Sequence, residues 1–159
     1  MYLSAVRSIR LEFHKSFLLP LGALLFITIF RFGVARGLLS TSLFFACLLA
    51  HELGHALFAI ATQTKVSGLG FSKWGAYIRR HKAQDSAHEL LIAAAGPLVN
   101  LVIALALRDQ SGIIQWLAQI NGVLFVVNVL PFWNSDGTRI LNTLRELRSQ
   151  PAKATAPQS

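Results

Sequence analysis

Charge is scarce in this sequence, acidic charge above all. Asp and Glu together number 7 among 159 residues, and charged residues of either sign make up 14%. With 53% hydrophobic residues and a mean hydropathy of +0.52, the composition is that of a membrane protein and not of a water-soluble domain. Cysteine is almost absent too. The single Cys47 excludes an intrachain disulfide, and its place in an apolar run makes it a packing residue. The length leaves room for one domain and no appended soluble module. The net charge of +8 does not indicate a nucleic-acid partner, because the basic residues lie between apolar segments and follow no single stripe.

Four apolar runs are candidate spans, at about residues 16–32, 38–62, 89–107 and 112–131. The first is short unless it extends past Arg31, whose head can snorkel to the interface. Gly33-Val34-Ala35 is a weak cleavage signal, but the flanking arginines and the apolar segments that follow favour an uncleaved anchor. Residues 1–15 carry Arg7, Arg10 and Lys15 among Val6, Ile9, Leu11 and Phe13, a pattern for a short interfacial amphipathic helix. In the basic connection 63–88, Lys65–Phe71 and Trp74–Arg79 are β-capable and separated by Ser72-Lys73; they read as a hairpin or as an irregular loop. Thr138–Arg148 reads as an amphipathic helix. The fold class expected is an all-α polytopic membrane protein of about four transmembrane helices, with a short β-hairpin at the membrane surface. Residues 1–148 form its single membrane-embedded domain and 149–159 a disordered tail.

Charge sets the expected orientation. Arg7, Arg10 and Lys15, the five basic residues of 63–88, and Arg139, Arg145, Arg148 and Lys153 place twelve Lys/Arg on one side. Arg31, Arg36 and Arg108 place three on the other. Both termini and the long connection should therefore be cytoplasmic.

Within the second run, from Leu38 to Ala61, Glu52 is the only charged side chain, and it lies inside His51-Glu52-Leu53-Gly54-His55. Polar groups in such a run are penalised by lipid and mark function. On a helix, His51 and His55 share a face and can point at one metal ion. Glu52 is close enough to serve as general base on a water there. This is the HExxH arrangement of zinc-dependent hydrolases.

A third protein ligand is required. The second run travels towards the cytoplasm, so His51 and His55 lie in its inner half, and the fourth delivers Asp136 just beyond its cytoplasmic end. Asp85 and Glu89 lie at the same end of the third run and stay open. Asp136 is favoured, because Pro131 and Gly137 interrupt the helix around it and let the backbone turn the carboxylate back to the bundle. Ala93-Ala94-Ala95-Gly96-Pro97 allows close helix approach and a kink. Asn100, a little further along, is helix–helix glue or a substrate contact.

Three stretches together, His51-Glu52-Leu53-Gly54-His55, Gly96-Pro97-Leu98-Val99-Asn100 and Asn128-x-x-Pro131-x-x-x-x-Asp136-Gly137, resemble the site-2 protease family of intramembrane zinc metalloproteases (peptidase family M50). The resemblance covers roughly residues 38–148, in a minimal form without PDZ-like or nucleotide-binding modules. It implies zinc held by His51, His55 and Asp136, Glu52 as catalytic base, and Asn128 positioning substrate or stabilising the oxyanion. The implied substrate is a membrane protein with a single span, cut in or near that span on the cytoplasmic side. Two other readings compete: a membrane metallopeptidase completed by Glu89 and acting on misfolded segments, and a non-catalytic metal-binding scaffold.

Overall fold

The structure is a computed structural model and describes residues 10–72 and 75–149. Four of the helices in those residues are long and apolar enough to cross a bilayer, and a three-stranded sheet accompanies them. The chain is a multi-pass membrane protein.

Strand β1 (Arg10–Phe13) leads through a 3-10 turn at Lys15–Phe17 into helix α1 (Leu18–Phe32). The apolar side chains of α1 point largely outward, Phe30 being 85% exposed, as lipid-facing residues should. The helix stops at Gly33, whose φ of 82° and ψ of 167° belong to a region essentially reserved for glycine. Its amide closes on the Ile29 carbonyl, and the chain reverses directly into α2 (Val34–Ala61). The two helices pack closely because Gly37 has no side chain: a Cβ there would lie 2.6 Å from the Ile29 Cα. Thr28 fastens the crossing, with its hydroxyl 2.9 Å from that of Thr41.

Helix α2 has 28 residues, so it is about 42 Å long and reaches past the ~30 Å hydrocarbon layer. Strands β2 (Val66–Ser72) and β3 (Gly75–Arg80) follow as an antiparallel pair, which decides this stretch for the hairpin and against the irregular loop. The third strand was not expected. Arg10–Phe13 does not continue an amphipathic helix but pairs parallel with β2, Arg10 opposite Gly68 and Phe13 opposite Phe71. The remainder of that expected helix, residues 1–9, lies outside the described residues, as do Lys73, Trp74 and the 150–159 tail. Four residues are too few for apolar spacing to separate period 2 from period 3.6, and a distant sheet edge decided the matter. The order β1-β2-β3 leaves β3 at the edge.

Helix α3 (Ser86–Ala106) starts on Asp85, whose side chain accepts the His88 amide at 2.8 Å. That backbone bond holds the Asp85 carboxyl below the usual range. Helix α4 (Gly112–Val129) ends where Leu130 turns extended before Pro131. The amphipathic helix α5 (Asp136–Ser149) is capped by the Ser135 hydroxyl, which accepts the Thr138 amide at 3.2 Å.

Candidate active site

His51, Glu52 and His55 are buried on α2, and one donor atom from each lies within 4.8 Å of the others. The i, i+4 spacing aims both imidazoles at α3, and Gly96 makes room for them. A Cβ on Gly96 would collide with His55 Nε2 and lie 2.7 Å from His51 Nε2. Gly54 lets α2 approach this closely, since a Cβ there would meet the Val99 side chain at 2.8 Å and the Ala95 carbonyl at 3.0 Å.

Asp136 arrives from the other side, as the first residue of α5. Gly137 places it: a Cβ at that position would overlap the Val129 carbonyl, so only glycine lets α5 begin so close under α4. Asp136 Oδ2 then lies 3.0 Å from His51 Nε2 and 3.2 Å from His55 Nε2, and the two nitrogens are 3.1 Å apart. These three edges are close to the about 3.3 Å between neighbouring ligands of a tetrahedral ion with 2.0 Å bonds.

Proton bookkeeping shows what such a cluster needs. His51 Nδ1 is 2.6 Å from Asn100 Oδ1, and His55 Nδ1 is 2.6 Å from the Ile92 carbonyl. Both partners accept, so each Nδ1 carries the ring proton and each Nε2 presents a lone pair. Two lone pairs and a carboxylate oxygen therefore converge in a buried space with no proton between them. A divalent cation among the three atoms satisfies them with both imidazoles neutral, and the two nitrogens and one oxygen suit zinc.

A cavity of ≈ 800 Å³ opens beside the cluster. Glu52, Asn128, Arg139 and the edge-strand residues Ala76, Tyr77 and Ile78 are among its lining. Tyr77 is steadied from β1, where Glu12 Oε2 accepts its hydroxyl at 3.1 Å and pairs with Arg79 at 2.8 Å.

The candidate residues separate into three groups. His51, Glu52, His55 and Asp136 meet, and Asn128 lines the same cavity with its amide donating to the Leu124 carbonyl. Glu89 does not join them; both its carboxylate oxygens are engaged by the Arg80 guanidinium, and the Ala83 amide donates to one. Asn100 is fully buried behind His51 and does not line the cavity, so the structure gives it the helix–helix role and not substrate contact. Asn121 on α4 was not singled out from the sequence. It bonds to Asn100 at 2.7 Å, and its one visible signal was an amide inside an apolar run.

A spanning helical bundle whose second helix carries an HExxH pair, joined by an aspartate from beyond the fourth helix, defines a class of membrane-embedded proteins built for a metal centre. The model of peptidase family M50 matches residues 40–108. A zinc metalloprotease of Methanocaldococcus jannaschii is 27% identical over 94% of this chain and 47% of its own length. A Synechocystis sp. protein named as a zinc metalloprotease is 31% identical over 68% of this chain and 31% of its own. The site-2 protease from Methanocaldococcus jannaschii superposes with a TM-score of 0.73 at 25% identity, over 91% of this chain and 70% of that one. The chain belongs to the site-2 protease family, peptidase family M50. It spans about half the length, or less, of the curated relatives it matches.

Proposed function

We infer that the chain is a zinc-dependent intramembrane endopeptidase, hydrolysing a peptide bond in or near the span of a single-pass membrane protein. The observation that carries this reading is the convergence of His51 Nε2, His55 Nε2 and Asp136 Oδ2 beside the Glu52 carboxylate, at the wall of a cavity bordered by β3, an edge strand among the described residues.

His51, His55 and Asp136 would hold the ion. Zinc in that position supplies a Lewis acid that acidifies water and polarises a carbonyl. Glu52 takes a proton from the attacking water as the new carbon–oxygen bond forms, and returns it to the amide nitrogen as the carbon–nitrogen bond breaks. Asn128, on the cavity wall, is placed to hold the substrate carbonyl. Helical substrate hides its amides in hydrogen bonds, so it must be drawn out before attack. The outer edge of β3 suits this, because an extended segment added there lies along Ala76–Ile78 and next to Glu52. The twelve-to-three split of basic residues supports cytoplasmic termini and a cavity facing the cytoplasm.

The test compares membrane proteomes of cells carrying wild-type protein or Glu52→Gln. Turnover should fall at least about a hundredfold, the lower end of general-base contributions. Zinc should stay, and uncut substrate should co-purify with the variant. Equal co-purification with both forms, and no cleavage by either, would make the chain a scaffold.

A further inference from the structure

Two asparagines and one backbone carbonyl form a directional chain that ends on His51. Asn121 Nδ2 donates to the Leu117 carbonyl at 2.8 Å and reaches Cys47 Sγ at 3.1 Å. Asn121 Oδ1 accepts Asn100 Nδ2 at 2.7 Å, and Asn100 Oδ1 faces His51 Nδ1 at 2.6 Å. Asn100 is 0% and Asn121 1% exposed, so water cannot substitute for a lost partner.

A side-chain amide has a donor end and an acceptor end, and nothing intrinsic decides which way it points. A carbonyl can only accept. The Leu117 carbonyl therefore obliges Asn121 to present its nitrogen there and its oxygen to Asn100. Asn100 must then give its nitrogen to Asn121 and its oxygen to His51. Reversing Asn121 would set oxygen against oxygen at Leu117 and nitrogen against nitrogen at Asn100. In this assignment every bond of the relay, from the Leu117 carbonyl to His51 Nδ1, joins a donor to an acceptor. We propose that Asn121 is a positioning residue: acting through Asn100, it keeps the proton of His51 on Nδ1 and the lone pair on Nε2, the form required to bind a cation.

His55 needs no such relay, since Ile92 offers it a carbonyl directly. His51 faces an amide that could flip, and the α4 backbone prevents the flip. Partners behind a metal-binding histidine typically change affinity 10–100-fold. Neither Asn121 nor Cys47 touches the cavity, so neither acts as a catalytic residue.

The inference rests on the zinc reading, and its test separates the two. Full-length protein in detergent is titrated with zinc against a competing chelator, as wild type, Asn121→Leu, Asn100→Asp and the Asn100→Asp/Asn121→Leu double variant. The tautomer of His51 is followed by nitrogen-15 NMR of metal-free protein. Asn121→Leu should lose about 10–100-fold in zinc affinity and show a mixed tautomer. Asn100→Asp in that background should restore both, because a carboxylate has no donor end to present to His51. Wild-type affinity and an unmixed tautomer in Asn121→Leu would overturn the proposal. So would failure of the double variant to recover, which would reduce Asn121 to a packing residue. A wild type that binds no zinc but holds His51 as the Nδ1–H tautomer, lost in Asn121→Leu and regained in the double variant, would defeat the zinc reading and leave the relay standing.

Discussion

Gly96→Ala adds one methyl group where the two imidazoles meet α3. The added carbon would lie 2.7 Å from His51 Nε2 and closer still to His55 Nε2. Ordinary contact is roughly 3.5 Å, so the rings or the helices must part by about 0.8 Å or more. The rings cannot turn freely, because the Nδ1 atoms are held by Asn100 and Ile92. Parting the helices gives up the close packing that Gly54 allows against Ala95 and Val99. Overpacking of this kind costs about 1–3 kcal/mol, and a misplacement near 1 Å at a reacting centre lowers turnover about 10²-fold. Gly22→Ala is the control: it makes the same change on α1, where nothing lies within 4 Å, and should be neutral or stabilise by up to about 1 kcal/mol. Zinc content, thermal unfolding in detergent and cleavage of a substrate found through Glu52→Gln would be measured on both. Wild-type zinc, melting temperature and turnover in Gly96→Ala would refute the claim that this glycine makes room for the two imidazoles.

Further outcomes follow from the same geometry. Purified protein should hold about one zinc per chain; Asp136→Asn should weaken its retention, whereas Glu89→Gln, which disturbs only the contacts with Arg80 and Ala83, should not, and the reverse pattern would transfer the third ligand to Glu89. Gly137→Ala should also release zinc, because α5 must move off the Val129 carbonyl and take Asp136 with it; retention equal to wild type in a metal-competition titration would contradict that account. Reporter fusions after Ser149 should report the cytoplasm and fusions within 108–111 the opposite face; an external C-terminus would mean an inverted bundle or a first helix that does not span.

What could be read from the sequence was whatever short-range chemistry governs. Hydropathy marked the four spans, because a bilayer tests each helix separately for its own apolar length. The His51–His55 pair was legible because four residues of helix always bring two side chains to one face. Asp136 was legible because Pro131 and Gly137 announce a break in the backbone beside it. The β2–β3 hairpin showed itself through two β-capable stretches close in sequence.

The rest was settled by partners distant in the chain. Arg10–Phe13 is a strand because β2, more than fifty residues on, offered it an edge, and no spacing within four residues encodes that. Asn100 read as glue before substrate contact, and only the placement of α3 between α2 and α4 put it behind His51. Gly96 carried a packing signal in the sequence, but that it spares room for two imidazoles depended on the approach of α2 and α3. The sequence by itself determined which groups lipid would not tolerate unpaired. Tertiary structure alone decided which atom of each would face which, because a hydrogen bond depends on direction and on tenths of an ångström, and neither exists until the helices have packed.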